Sequence, residues 1–220
     1  MKKQTLVKCT IPLLLLALVF SLFAWYLTDY RSFRLAVFRA ENGHIAPGQT
    51  VFLGDSITDL FRLDLYFPDS GELCNRGINS DTVRGLTDRL GESAVCLNPS
   101  KIILLIGIND LLRGRDAETV FSDYVILLDS IRNALPDAAL YVQSVYPVAG
   151  QYEAYNDGVR AVNRLLSEYC AQNNLAYLDV YSVLADEDGT LNRAYTCDGL
   201  HYTPAGYRAI SAFLLQTALA

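Results

Sequence analysis

Short apolar runs alternate with longer helical patterns over most of the chain, and this alternation restricts the folds open to it. The run Lys101–Ile106 is apolar after its first residue, as expected of a strand covered on both faces of a sheet. Further strand candidates are Thr50–Leu53, Ala139–Val145, Leu175–Val180 and, more weakly, Glu72–Asn75. Strands that alternate with helices predict an α/β fold, a parallel sheet with helices on both faces. Ligands of such sheets bind beyond the carboxyl ends of the strands, so functional residues are expected there.

Helices are predicted between these strands. Apolar residues recur at spacings of three and four from Val120 and again from Tyr155, which is the period of an amphipathic helix. A last helix is expected to begin with Thr203 as N-cap and Pro204 in the first turn. Hydrophobic residues make up 51% of the chain and charged residues 19%, enough apolar material for one buried core.

The first thirty residues differ from the rest. Three lysines within the first eight residues precede or border an uncharged stretch, Cys9–Thr28, which as a helix is long enough to cross a ~30 Å hydrocarbon core. Trp25 near its end suits a lipid–water interface. We therefore predict a hydrophobic signal-anchor or transmembrane helix over residues 1–28, a juxtamembrane connector over 29–48 and a folded domain over 49–220.

The basic residues in front of the apolar stretch favour a membrane-anchored protein whose domain lies outside the cytoplasm. A cleaved signal peptide, and hence a secreted protein, is the alternative; it is less favoured because no Ala-x-Ala precedes the polar sequence. An exported domain could pair its four cysteines in any of three connectivities, or keep them as buried thiols. Those four are Cys74, Cys96, Cys170 and Cys197, none in a CxxC pair, which disfavours a zinc or thioredoxin-like site.

The charge balance disfavours nucleic acid as a partner. The net charge is −6, from 18 Lys plus Arg against 24 Asp plus Glu, and no basic cluster follows the N-terminal segment.

A serine follows the first predicted strand, in Gly54-Asp55-Ser56. A serine at a strand-to-helix turn presents its hydroxyl at the sheet edge, where nearby backbone N–H groups can face an anion. Taken alone, the motif is explained as well by Asp55 and Ser56 capping the next helix.

Two further motifs follow strands. Gly77 comes after the weak second strand, and its N–H could face a substrate oxygen, although an ordinary loop glycine would look the same. Asn109, in Gly107-Ile108-Asn109-Asp110, follows the strongest strand, and its side-chain amide could donate to a developing oxyanion. A polar turn closing the strand is the alternative for Asn109.

The last motif is Asp198-Gly199-Leu200-His201, just before the final helix. One compact turn can place the Asp198 carboxylate beside the imidazole, which fixes its tautomer. A general base near neutral pH is usually histidine, and the second of the two histidines, His44, lies in the connector. His201 is therefore the candidate base, with a surface histidine near a helix start as the alternative.

In this order, the four motifs resemble block for block the SGNH hydrolase family, also called GDSL lipases/acylhydrolases, over about residues 49–218. The runs Asn75–Thr82 and Leu104–Leu111 look closest to the branch that contains platelet-activating-factor acetylhydrolase subunits and small bacterial esterases. Ile57 stands where the first block usually has leucine, a change of similar size.

The resemblance implies a flavodoxin-like, three-layer α/β/α sandwich that needs no metal or organic cofactor. It implies that Ser56 is the nucleophile, His201 its base and Asp198 the partner that orients the base. The oxyanion hole would comprise the backbone N–H groups of Ser56 and Gly77 and the side-chain amide of Asn109.

The expected function is that of a serine esterase acting through an acyl-Ser56 intermediate. Short loops leave little sequence for a lipid tunnel, which favours a short acyl group such as acetyl on a carbohydrate or lipid-like alcohol. An O-acyltransferase using the same residues, or a non-catalytic surface module that binds acylated glycan, are the alternatives.

Overall fold

One parallel sheet of five strands organises the structure, a computed structural model that describes Leu18, Ser21 and residues 29–219. The strand order is β2-β1-β3-β4-β5, the flavodoxin-like order, which reverses direction between β1 and β3. The strands are β1 (Thr50–Gly54), β2 (Leu73–Gly77), β3 (Lys101–Leu105), β4 (Ala139–Gln143) and β5 (Ala176–Leu178). The predicted α/β fold with a parallel sheet is confirmed, and all five strand candidates form strands.

The register of the central strands sets the level of the functional edge. Gly54 at the end of β1 lies opposite Gly77 of β2 and Leu105 of β3. All three strands therefore end at the same height, and the segments that follow them start side by side. β1 and β3 are buried on both faces, which explains why Lys101–Ile106 reads as a continuous apolar run.

Two groups of helices flank the sheet. Helices α4, α7 and α8 contact one another in series, whereas α10 contacts α3 and α9. The helices are α1 (residues 29–42), α2 (Ser56–Asp59), α3 (Leu63–Tyr66), α4 (Val83–Asp88), α5 (Leu90–Ser93), α6 (Ile108–Leu112), α7 (Ala117–Ala134), α8 (Asn156–Gln172), α9 (Tyr181–Leu184) and α10 (Pro204–Thr217). Thr203 caps α10 as predicted, its hydroxyl accepting from the Gly206 N–H at 3.3 Å.

The predicted hydrophobic helix over residues 1–28 lies outside the described residues, apart from Leu18 and Ser21. No helix in the described part of the chain is long and apolar enough to cross a membrane.

Part of the segment predicted as a juxtamembrane connector packs against the domain. Residues 29–42 form helix α1, and its Phe38 is fully buried. The guanidinium groups of Arg34 and Arg76 lie over the Phe38 ring at 4.8 and 4.6 Å from its centroid. The folded unit therefore includes residues that precede the predicted domain start at residue 49.

The cysteines of the described residues are all free thiols, two buried (Cys74, Cys170) and two exposed (Cys96, Cys197). Burial raises the pKa of Cys170 to about 11, which makes it an unreactive core side chain.

Candidate active site

Ser56 lies in a tight turn at the end of β1. The Asp55 carboxylate accepts from the Ile57 N–H at 3.0 Å and caps α2, which begins at Ser56. A Cβ on Gly54 would come within 2.3 Å of the Leu105 carbonyl oxygen, so only glycine fits at this position. As the first residue of a helix, Ser56 has a backbone N–H without an intrahelical acceptor. The turn thus places a hydroxyl and an unpaired N–H together.

His201 connects the serine to a carboxylate. Its Nε2 lies 3.2 Å from Ser56 Oγ, and its Nδ1 lies 2.7 Å from Asp198 Oδ2. Because a carboxylate only accepts, Nδ1 carries the proton in the neutral ring and Nε2 keeps a lone pair for the serine hydroxyl. The structure therefore brings Ser56, His201 and Asp198 together in the order needed to activate the hydroxyl.

The Asp198 carboxylate is held in its ionised form by its own turn. Its Oδ1 accepts from the backbone N–H groups of Leu200 at 2.9 Å and His201 at 2.8 Å. Partial burial by itself raises the pKa of this carboxyl, but the hydrogen bonds from the His201 ring and the two N–H groups outweigh it and lower the pKa to about 2. A negative charge consequently faces the imidazole at pH values well above 2.

Helix α10 fastens the histidine loop to the serine turn. Tyr207 of α10 donates its hydroxyl to the Ile57 carbonyl of α2 at 2.8 Å. Tyr202, in the histidine loop just before α10, donates to the Pro147 carbonyl in the segment after β4 at 3.0 Å. Both tyrosines are buried. The distance between His201 and Ser56 therefore depends on the docking of α10 against α2.

Asn109 lies in the first turn of α6, directly after β3. Gly107, with φ +117°, makes the sharp turn out of the strand. The Asn109 amide nitrogen donates to the Asp81 carbonyl at 3.0 Å, which fixes the plane of the amide. Its second N–H has no acceptor among the described residues and is available to a ligand.

The sequence profile described as the GDSL-like lipase/acylhydrolase family matches residues 52–209, the span that contains the serine turn, Asn109 and the histidine loop. The chain belongs to this family. Its members are carboxylic ester hydrolases, and the four sequence blocks that suggested the resemblance all lie within the matched span.

The chain is also similar to individual members of known families. It is 28% identical over 153 residues to an N-acylneuraminate cytidylyltransferase of Streptococcus agalactiae, covering 70% of this chain but 34% of that protein. This chain thus spans about a third of the length of such curated relatives. It is 25% identical to an acetylxylan esterase of Geobacillus stearothermophilus, covering 76% of this chain and 91% of the esterase.

A solved structure from Streptococcus pneumonia, provisionally described as a platelet activating factor, superposes with a TM-score of 0.83. It is 25% identical to this chain and covers 93% of it, and 99% of that structure is matched.

The backbone N–H of Gly77, predicted as an oxyanion donor, is already hydrogen-bonded in the structure. The Gly77 N–H donates to the Asn75 side chain at 2.9 Å, and a Cβ on Gly77 would lie 2.1 Å from the Asp59 nitrogen. Glycine is thus required for the close approach of β2 to α2, while its N–H is occupied within its own turn. Its role as an oxyanion donor stays a prediction.

The loop after β2 contains a free backbone N–H that the sequence did not indicate. Ser80 has φ +61°, and its N–H has no acceptor in the part of the chain that the structure describes. Its neighbours Asn79 and Asp81 both use theirs, on Asp59 Oδ2 and on the Ile78 carbonyl. A serine in the left-handed region carries no clear local signal, which is why the pattern of residues did not suggest it.

Two buried ionisable side chains, Arg89 and Asp55, lie next to the serine turn and the loop after β2. Arg89, 2% exposed, donates to Asp81 Oδ2 at 2.6 Å and to the carbonyls of Gly54 and Arg76, both at 2.9 Å. It therefore ties together the ends of β1 and β2 and the loop after β2. Asp55 is fully buried, and burial raises its pKa to about 7. Among the described residues, no group of three or more His, Cys, Asp or Glu side chains is placed to hold a metal ion.

Proposed function

We propose that this protein is a serine esterase that cleaves a short-chain carboxylic ester, such as an acetyl ester, through an acyl-Ser56 intermediate. The observation that carries the proposal is the hydrogen-bonded series from Ser56 Oγ to His201 Nε2 at 3.2 Å and from His201 Nδ1 to Asp198 at 2.7 Å. Family membership supports the reaction class. The names of two relatives, one an acetylxylan esterase and one a neuraminate enzyme, favour an ester on a carbohydrate.

The reaction begins when His201 Nε2 accepts the Ser56 hydroxyl proton while Oγ attacks the ester carbonyl carbon. The carbonyl electron pair moves to oxygen and forms the tetrahedral oxyanion. Collapse breaks the bond to the alcohol, which leaves with the proton from His201. Water then attacks the acyl-serine with His201 as base, releasing the acid and restoring Ser56. Asp198 stabilises the imidazolium in both halves.

The oxyanion is stabilised by preorganised N–H groups at the same sheet edge. Ser56 contributes its free helix N–H, and Asn109 contributes the amide N–H that Asp81 leaves unused. In the loop after β2, the Ser80 N–H has no acceptor among the described residues, whereas the N–H of Gly77, the last residue of β2, serves only if the Asn75 side chain releases it. Losing one such donor costs on the order of 10²–10³ in turnover, which is the loss expected for Asn109→Ala.

The test is fluorophosphonate labelling of the full chain, with the modified residue mapped by mass spectrometry. We expect labelling at Ser56, lost in Ser56→Ala and His201→Ala and kept in Ser130→Ala, which removes a serine of helix α7. Hydrolysis of acetyl and octanoyl p-nitrophenyl esters then measures acyl preference. A folded chain that resists labelling would contradict the serine mechanism, and a strong octanoyl preference would contradict the short acyl group.

The location of the domain is a further proposal, supported by the sequence alone. Lysines followed by an uncharged apolar stretch favour a membrane-anchored protein with residues 29–220 outside the cytoplasm. Protease added outside intact cells that express the chain should digest residues 29–220. The undigested chain should stay in the membrane fraction after carbonate washing. Protection from external protease, or release by carbonate, would contradict this placement.

A further inference from the structure

Helix α1 brings an arginine onto a buried carboxylate next to the site. Arg31 Nη1 lies 2.6 Å from Asp81 Oδ1, and Arg31 Nη2 donates to the Gly85 carbonyl at 2.7 Å. The Asp81 side chain is 1% exposed, and its other oxygen accepts from the Arg89 Nε at 2.6 Å. Asp81 is therefore clamped between two guanidinium groups, of which only Arg89 belongs to the same segment of the chain.

A second contact from α1 reaches the same loop. The Tyr30 hydroxyl donates to Asp59 Oδ2 at 2.5 Å, and Arg34 lies 3.2 Å from Asp59 Oδ1. Asp59 Oδ2 also accepts from the Asn79 N–H at 3.2 Å. Helix α1 thus holds the loop after β2 directly at Asp81, and indirectly at Asn79 through the Asp59 carboxylate of α2.

This loop fixes the Asn109 amide. The Asp81 carbonyl accepts from Asn109 Nδ2 at 3.0 Å, so the position of the Asp81 peptide decides where the remaining amide N–H points. A donor that is held in place before reaction stabilises an oxyanion without reorganisation, and displacements of about 1 Å can cost 10²-fold in rate.

We infer that Arg31 is a positioning residue for ester cleavage, acting through Asp81 to hold the Asn109 amide in its donating orientation. The inference rests on the proposed function. Arg31 lies outside the matched family span of 52–209 and before the predicted domain start. The similar Streptococcus pneumonia structure nonetheless covers 93% of this chain, a larger share than residues 49–220 represent. The match therefore includes residues before 49.

The experiment is a double-mutant cycle in the full-length, detergent-solubilised chain, with p-nitrophenyl acetate as substrate. Arg31→Ala should lower kcat about 10-fold with KM within about two-fold, because contacting residues in one network couple. Asn109→Ala should lower kcat by about 10²–10³. The double variant should match Asn109→Ala within about two-fold, since Arg31 has nothing to position once the amide is gone.

Arg39→Ala is the matched control. Arg39 lies on the same helix and pairs with the half-exposed Glu92 at 2.8 Å, away from Asp81. It should keep wild-type kcat. Arg31→Lys keeps the charge but loses the two-pronged contact with Asp81 and Gly85, and should give an intermediate kcat with the same dependence on Asn109.

Three results would overturn the inference: wild-type kcat in Arg31→Ala, an equal loss in the presence and absence of the Asn109 amide, or the same loss in Arg39→Ala. If Arg31→Ala does not fold, the cycle is run with Arg31→Lys. If the kcat losses of Arg31→Lys and Asn109→Ala then multiply in the double variant, the inference is overturned as well. Failure of the proposed function would look different, since the wild type would then neither turn over the ester nor be labelled at Ser56.

Discussion

The buried carboxyl of Asp55 predicts a pH-dependent stability that one substitution should remove. The residue precedes the nucleophile and has no exposed surface. Its Oδ1 accepts from the Ile57 N–H, whereas its Oδ2 is buried with no partner among the described residues. Burial raises its pKa from 3.8 to about 7, and the nearby carboxylates of Asp81 and Asp110 add to the rise.

The raised pKa of Asp55 makes the folded protein less stable as the pH rises. Because the pKa of Asp55 is higher in the folded than in the unfolded protein, its stabilising contribution is complete below pH 3.8 and is lost as the pH rises through about 7. At pH 5 the Asp55 carboxyl is already ionised in the unfolded protein. In the folded protein it keeps its proton until about pH 7, about two pH units higher. At about 1.4 kcal/mol per unit, this single group costs on the order of 2–3 kcal/mol over that interval.

Asp55→Asn keeps an oxygen that can cap the Ile57 N–H and carries no charge at either pH. Its loss of stability from pH 5 to pH 8 should therefore be smaller than that of the wild type by about 2–3 kcal/mol, or about 5–10 °C in Tm. Thermal and urea unfolding followed by circular dichroism at both pH values measure this difference. Asp137→Asn, which changes an exposed carboxylate, should follow the wild type. Parallel losses in Asp55→Asn and the wild type would refute the reasoning.

Three other substitutions, one of them paired with a control, test the site and its supports. Gly54→Ala places a Cβ 2.3 Å from a backbone carbonyl oxygen and should abolish soluble expression. Its control, Gly91→Ala, lies at an open helix position and should raise the free energy of unfolding by up to about 1 kcal/mol. Asp198→Asn should lower kcat about 10³–10⁴-fold with little change in Tm, as steady-state kinetics and thermal unfolding would show. Tyr207→Phe removes the 2.8 Å hydrogen bond to Ile57 and should cost about 1 kcal/mol in urea unfolding and slow fluorophosphonate labelling several-fold.

The sheet and the family could be predicted from the sequence because both leave local patterns. A central strand buried on both faces must be apolar at every position, as Ile102–Leu105 is, so it stands out without any knowledge of its neighbours. Residues that follow such strands reach the same edge, which is why Ser56 and Asn109 could be chosen as candidates. Strand ends were less well placed, and β4 stops at Gln143, before the predicted Val145.

The docking of α1 and the environment of Gly77 could not be predicted in this way. Arg31 meets Asp81 across fifty residues of sequence, and an ion pair of that separation leaves no periodic signal near either partner. Residues 29–48 were therefore predicted only as a juxtamembrane connector, with no contact to the domain. The N–H of Gly77 is occupied by Asn75, two residues earlier, but whether that side chain turns back depends on the α2 backbone it also contacts, through the Thr58 carbonyl at 2.6 Å.

The two halves of the site are held by different means, and this decides how each can fail. The serine turn and Asn109 follow β1 and β3, so the sheet register that pairs Gly54 with Leu105 fixes them as part of the core. His201 comes from a loop beyond the last strand, and its distance to Ser56 depends on the docking of α10. Backbone ladders in a buried sheet open only with global unfolding, whereas a docked helix can shift locally at lower cost. Substitutions in α10 should therefore separate base from nucleophile in an otherwise folded protein, while those at the ends of β1 and β3 should remove the fold and the activity together.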